Sequence, residues 1–278
     1  INEILFNPKT GGYDFVELYN RSNKIIDLNT FDILEKDISD PSSILEQASV
    51  SAQSYLLFPK DFVVLTANPD NIKQNYYVEN PNTLLLVPSF PNYADDKSIC
   101  VLKIHNGETI DSLAYDHNWH FAWLDVEDGV SLERVDYDKP SQDQNNWHSA
   151  ASTVGYATPT YRNSQYSQTG ITDDEIQVDP EVFTPDNDGD KDYTNIKYKF
   201  SLPGYVMNAK VYDANGREIR TLLKSELLGS EGQFQWDGVD DNNQKARVGI
   251  YIIYIEVFNL EGKLKRFKKQ VVLGAKLN

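Results

Sequence analysis

One cysteine, Cys100, and one methionine stand in 278 residues. A single thiol allows no intramolecular disulfide, so a fold living in an oxidising compartment would have to be braced by other means. Cys100 lies in the apolar run Ser98–Ile104 and reads as a small buried hydrophobe. No run of about 18 apolar residues occurs, which excludes a membrane-spanning helix. The chain opens without Met, directly in the apolar run Ile1–Phe6, as a trimmed fragment would, and the lack of a leader says nothing against export. Basic residues are outnumbered, 26 against 42 acidic, for a net charge of −16. The deficit is uneven: residues 171–278 hold 18 acidic and 15 basic residues, net −3, leaving −13 on residues 1–170. A domain that acidic repels a phosphate backbone and disfavours nucleic-acid binding. Also missing are a Gly-x-Ser-x-Gly nucleophile elbow, a phosphate loop, a dinucleotide fingerprint and a His-Glu-x-x-His zinc motif.

What is present is alternation. Phe15-Val-Glu-Leu-Tyr-Asn20 alternates, and short apolar runs follow at Ile25–Leu28, Phe31–Leu34, Tyr55–Phe58, Phe62–Thr66, Leu84–Val87, Ile99–Ile104 and Ile110–Tyr115. Strands at this spacing, split by Pro, Asn and Asp, predict a sandwich or barrel. One short helix is expected at Asn68–Tyr76, where Asn68 offers a cap and Pro69 a first helical position. The polar run Tyr161–Asp174 reads as a connector. Beyond it, strands are expected at Ile176–Val178, Thr194–Leu202, Ala209–Asp213, Gly232–Trp236, Val248–Phe258 and Leu264–Leu273. Asn215-Gly216 predicts a two-residue hairpin turn and Leu260-Glu-Gly262 a second hairpin, while Trp236 should plug a core. Gly249–Glu256 is apolar on both faces and should be a central strand.

The most pointed chemistry is Phe183-Thr-Pro-Asp-Asn-Asp-Gly-Asp-Lys-Asp192. Asp186, Asp188, Asp190 and Asp192 occupy alternate positions, and on a flat strand they would repel along one face. The turn signal Asn187-Asp188-Gly189 predicts a curled loop instead, in which the carboxylates converge on a hard cation such as calcium. It is not an EF-hand: counted from Asp186, the glycine comes fourth and the twelfth residue is Lys197, where a bidentate Glu is needed. The competing reading is a solvated acidic turn.

A second patch gathers Asp116, His117, Trp119, His120 and Trp123, with Trp147-His148 downstream. Two histidines and an aspartate can hold a transition metal or move protons. The same residues can simply pack a loop over an open edge of the sandwich, or present aromatic rings to a sugar or peptide. Glu3 and Glu17 sit among strand residues and need partners, either a cation, loop backbone or Arg134. The basic run Lys263, Lys265, Arg266, Lys268 and Lys269 can attract an acidic partner or guard a sheet edge.

Two family resemblances sit on these residues. Ile1-Asn-Glu-Ile4, Asp14-Phe-Val-Glu-Leu-Tyr-Asn20, Ile26-Asp-Leu28, Gly129-Val-Ser-Leu-Glu-Arg134, Asn146-Trp147 and Ala157-Thr-Pro159 resemble a bacterial lamin-tail domain, with Thr160 where that family usually has glycine. Phe183–Gly189 with Asp192, Val211–Arg217, Trp236-Asp-Gly238 and Val248-Gly-Ile-Tyr251 resemble the FlgD-like domain, related to C-terminal domains of the Bacteroidetes type IX secretion system. The first turn there commonly reads Pro-Asn-Gly-Asp-Gly, from which Asp186 and Asn187 depart. Together the resemblances imply two immunoglobulin-like antiparallel β-sandwiches, at 1–165 and 178–278, joined by a polar linker at 166–177. They imply a non-catalytic secreted, periplasmic or cell-surface bacterial protein, its second domain a stalk or a secretion and anchoring unit, its partner a surface protein or glycan. The alternatives are a metal-dependent hydrolase or its accessory domain, and, by lamin-tail analogy, nucleic-acid binding.

Overall fold

Where apolar and polar residues alternate cleanly, strands form. The computed structural model describes residues 1–167 and 175–275 and divides into two units, Ile1–Tyr166 and Ser167–Asn278. The expected connector falls largely on 168–174, outside the described residues.

The first unit runs through β1 (Glu3–Leu5), β2 (Phe15–Tyr19), β3 (Ile26–Asp27), β4 (Phe31–Lys36), β5 (Ile44–Ser49), β6 (Leu56–Leu57) and β7 (Phe62–Thr66). After helix α1 (Pro69–Asn75) come β8 (Leu84–Leu86), β9 (Lys97–Ile104), β10 (Thr109–Asp116), β11 (Leu132–Arg134) and β12 (Trp147–Ser149). A six-stranded sheet, β12-β11-β1-β2-β7-β8, faces a four-stranded sheet, β10-β9-β4-β5, and β3 pairs with β6. The pairings are antiparallel except β7 with β8, which the α1 crossover makes parallel. As expected, Asn68 caps α1, its Oδ1 accepting from Asn71 N at 3.1 Å.

The period of two sorts the first unit's side chains. Ile4, Val16, Leu18, Val63 and Leu65 point between the sheets, where they meet Ile33, Cys100, Leu102 and Tyr115. Cys100 is fully buried, beside the Tyr93 hydroxyl at 3.3 Å. The alternate residues Leu5, Phe15 and Val64 form a second core on the outer face, with Ile72 and Tyr76 of the helix region and Ala157. The six-stranded sheet is therefore covered on both sides, and that double cover is what buries the glutamates described below.

The second unit contains β13 (Glu175–Asp179), β14 (Val182–Phe183), β15 (Thr194–Lys199), β16 (Val206–Asp213), β17 (Glu218–Leu227), β18 (Glu231–Trp236), β19 (Gly249–Phe258) and β20 (Leu264–Leu273). A three-stranded sheet, β13-β15-β18, packs on a five-stranded one, β14-β20-β19-β16-β17, in which β19 is central as its composition predicts. Ile196, Tyr198 and Phe200 all face the core. The Asn215-Gly216 hairpin exists but its loop is longer than two residues. Asp213 N bonds Arg217 O, only Gly216 is left-handed (φ 79°), and the Asp213 carboxylate accepts from Asn215 N and Arg217 N. The Asn259–Lys263 turn repeats this plan, with Asn259 in the place of Asp213 and Gly262 left-handed. A side-chain acceptor at the first position makes the longer turn self-sufficient.

Candidate functional site

Among the described residues, convergent titratable groups include a buried carboxylate row and a histidine patch in the first unit, and the aspartate loop in the second.

The carboxylate row follows from register. Glu3 lies opposite Glu17 across β1–β2 and opposite Glu133 across β1–β11. Like charges directly opposite repel, and all three residues here are fully buried. Among the described residues, no ion pair joins them to an arginine. Arg134, the expected cation, belongs to the opposite face of β11: its guanidinium donates to Ile1 O at 3.1 Å and to Lys139 O, and lies 3.8 Å from Asp111. That expectation is corrected, because neighbours along a strand point to opposite faces.

Neutral donors from the segment that roofs the sheet take the cation's place. Glu3 Oε1 accepts from Ser131 Oγ at 2.5 Å and Thr158 N at 2.9 Å. Glu17 accepts from Asn2 Nδ2 at 2.7 Å and Thr160 N at 2.6 Å. Glu133 Oε2 accepts from Ser164 Oγ and Gln165 N, both at 2.8 Å. Thr158 Oγ1 lies 2.7 Å from Glu133 Oε1 and 3.1 Å from Glu3 Oε2. A hydroxyl has one hydrogen, so with both contacts made at least one of these carboxyls is protonated and donates to it. Burial, reinforced by the neighbouring carboxylates, pushes Glu3 up to about 8 and Glu17 well above the usual range. Burial also raises Glu133. The row is a proton-holding structural network rather than a cation cage. Thr160, where the lamin-tail resemblance has glycine, sits at φ 77° while its amide binds Glu17.

Within the histidine patch, Asp116 and His120 have structural partners, while His117 and Trp123 remain accessible. Asp116 accepts from Asn118 N at 2.9 Å and caps the short turn that follows β10. That bond leads the effects that hold its carboxyl below the ordinary value. His120 is buried, its ring tilted at 37° against Phe6 with centroids 5.5 Å apart. Its Nδ1 lies 2.9 Å from Ser149 Oγ, which itself accepts from Phe121 N at 2.8 Å. A hydroxyl accepts as well as donates, so either Ser149 Oγ or a protonated Nδ1 supplies the hydrogen of this contact. Burial pushes His120 down to about 4. His117 stands apart at the surface, 3.3 Å from Glu127. Trp119 packs on the main core, Trp147 is buried with Nε1 on Ser141 O, and Trp123 is half exposed against Phe121.

A stability prediction follows for His120. Its folded value lies below the free one of 6.5, so the folded state binds fewer protons between about 4 and 6.5. Stability from this residue is present above 6.5 and is lost as pH falls through that window, up to roughly 3 kcal/mol. Urea midpoints of the wild type and His120→Gln should diverge at neutral pH and converge toward pH ~4. Parallel curves would show that His120 does not titrate with unfolding.

The aspartate segment curls as its turn signal predicts, with φ of 62° at Asn187, 89° at Gly189 and 54° at Lys191. The Asp192 carboxylate organises it, accepting from Asn187 N at 2.5 Å and Gly189 N at 2.9 Å. Asp188 accepts from Asp190 N and Asp186 from Asp188 N. Oxygens of Asp186, Asp188 and Asp192 all lie within 4.8 Å of one another, and Asp190 is not in that group. The three carboxylates are thus close enough to converge on one cation. The basic run of β20 is engaged locally: Arg266 bonds Glu256 at 2.9 Å, Lys265 lies over Tyr205 and Lys268 over Tyr254.

Fold and sites together define an all-β protein of two sandwich units. No family model matches the chain, and no curated protein matches it. Among solved structures it is similar to FlgD from P. aeruginosa, at 18% identity over 30% of this chain and 63% of that one, TM-score 0.25. It is also similar to dimeric latent PorU from Porphyromonas gingivalis, at 11% identity over 99% of this chain and 20% of that one, TM-score 0.29. A third is PorZ, a surface component of the type IX secretion system of the same organism, at 11% identity over 98% of this chain and 38% of that one, TM-score 0.28. The chain thus spans less than two thirds of each of these proteins.

Proposed function

We propose that this chain is a non-catalytic exported or cell-surface module for binding and scaffolding. The first unit is the recognition part, and the second is a stalk or a secretion and anchoring unit stapled by calcium in the aspartate loop. One observation carries the reading: the groups of the first unit that were best placed for hydrolysis are spent on architecture. Asp116 caps a turn, and His120 is sealed against Ser149. With one cysteine, calcium is the available brace for the second unit, and Asp186, Asp188 and Asp192 would hold it.

The test is thermal melting of the full chain with calcium and with chelator, beside assays of phosphodiester and peptide hydrolysis in zinc, manganese and magnesium. Calcium at about 100 times its dissociation constant adds roughly 2.7 kcal/mol, and Asp188→Asn or Asp192→Asn should remove that gain. An unchanged melting midpoint would dismiss the calcium staple. Turnover that His117→Ala abolishes would replace the binding role with a hydrolase.

A further inference from the structure

A pocket of about 490 Å³ lies on the second unit, walled by the neighbouring strands β17, β16 and β19. Ala209, Val211, Ile253 and Ile255 of β16 and β19 point into the core. Asn208, Lys210, Tyr212, Tyr254 and Glu256 alternate with them, face outward and line the pocket. The register sets Lys210 beside Tyr254 and Asn208 beside Glu256. β17 supplies the rim. Its pairing with β16 shifts register twice between Met207 and Lys210, and Ser225 is left-handed at φ 53°. Bulges bend an edge strand and raise its twist, which makes this face concave.

Two tyrosine rings form the apolar part. Tyr212 and Tyr254 meet at 6.4 Å and 72°, so their planes make a corner. Each is tethered through its hydroxyl to a glutamate: Tyr254 donates to Glu256 at 3.0 Å, and Tyr212 hydrogen-bonds Glu218. Rings already held lose little further freedom on binding. Lys268 approaches Tyr254 from β20 and does not line the pocket.

The polar part carries both donors and acceptors. Asn208 Oδ1 accepts from Ser225 N at 2.8 Å, which orients the amide and leaves Nδ2 to donate. Lys210 pairs with Glu218 at 3.0 Å and Glu256 with Arg266 at 2.9 Å. An ammonium has several hydrogens and a carboxylate several lone pairs, so each keeps capacity for a ligand. An anion here meets Glu256, a cation meets Lys210, and a purely apolar body strands both. A neutral sugar satisfies all three. Its hydroxyls donate and accept, and its weakly positive C–H face suits the negative face of a tyrosine ring. The volume lies within the range of small-ligand sites.

We propose that this pocket binds a neutral sugar of a glycan chain, one pyranose face against the Tyr212–Tyr254 corner and its hydroxyls bonded to Asn208, Lys210 and Glu256. Such a site gives the second unit a ligand of its own and does not rest on the recognition role proposed for the first.

The test is NMR titration of the full chain with lactose, cellobiose, maltose and N,N′-diacetylchitobiose, beside digalacturonate and chitobiose as anionic and cationic controls. At least one neutral disaccharide should shift the ring signals of Tyr212 and Tyr254 saturably, with both charged controls weaker. Asn208→Asp keeps the acceptor for Ser225 N and loses the donor, so the melting midpoint should hold while affinity falls about tenfold. Tyr254→Phe keeps the ring and should bind within about threefold of the wild type, whereas Tyr254→Ala should lose about tenfold or more. Ile250→Ala, exposed on the same strand beyond the pocket, should change nothing. No saturation by any neutral disaccharide, equal or tighter binding of digalacturonate, or an Asn208→Asp variant that binds as the wild type would each overturn the assignment. None of these outcomes alters the calcium melting or hydrolysis results, so failure here is distinct from failure of the role proposed above.

Discussion

Amide protection in β1, β2 and β11 is expected to fall steeply as pH is raised from about 5 to about 9, well before ordinary alkaline denaturation. The cause is the Glu3–Glu17–Glu133 row. Glu3 holds its proton to about 8 when folded, against 4.5 when free. Between those values the folded state binds more protons than the unfolded one, so stability is full below 4.5 and declines as pH rises through about 8. Glu17 and Glu133 are raised for the same first reason, burial, and act in the same direction. The expected loss is on the order of 3–5 kcal/mol. Glu3→Gln separates this from a general effect of base. Its amide oxygen can accept from Ser131 and Thr158 N, and its NH2 can donate to Thr158 Oγ1, as the protonated acid does. This variant should flatten the alkaline decline. Glu3→Ala instead strands those donors around a cavity and should cost about 3–5 kcal/mol at any pH. Hydrogen exchange across a pH series checks both, and a Glu3→Gln curve parallel to the wild type would refute the protonated row.

Trp236→Ala should destabilise the second unit by about 3–5 kcal/mol and leave the exchange of β1 and β2 unchanged. Trp236 is fully buried, edge-on to Phe183 at 5.3 Å and Tyr251 at 4.9 Å, with Nε1 donating to Val239 O at 2.9 Å. It therefore joins β18 of one sheet to β14 and β19 of the other. The turn beside it is equally tight. Gly238 has φ 76°, and a Cβ there would lie 2.8 Å from Leu273 and 3.0 Å from Pro185, so this turn position requires glycine. Trp236→Phe keeps the ring contact and loses the hydrogen bond, and should cost roughly 1–2 kcal/mol. Urea unfolding followed by amide signals of β18 and β19 checks the pair. A loss under ~1 kcal/mol for alanine would mean that the core closes without the indole.

Five strands escape the pattern reading: β11, β12 and β14 are only two or three residues long, too short to show a period, and the two longer ones each have a visible reason. Ile44–Ser49 lies at a sheet edge with Ile44 and Leu45 exposed, so its side chains show no inside and outside to alternate between. Glu218–Leu227 is also an edge strand, and register shifts in its pairing with β16 break the period of two. The candidate sites divide in the same way. The aspartate loop was legible because turn chemistry is local, although which three carboxylates converge was not. Glu133, Thr158 and Thr160 were missed as partners of Glu3 and Glu17. A glutamate set among apolar residues in each of three short strands was the signal available.

Side-chain period, turn residues and caps act over two to four positions. They determined by themselves the two all-β halves, the single capped helix, the plugging tryptophan and the curl of the acidic loop. Tertiary structure alone decided that the outer face of the six-stranded sheet is roofed and that Arg134 turns away from the glutamates. Those outcomes depend on segments more than a hundred residues apart, such as Glu3 and Thr158, becoming neighbours in a dry place. Burial, unlike periodicity, belongs to the assembled layers and not to any one stretch of chain.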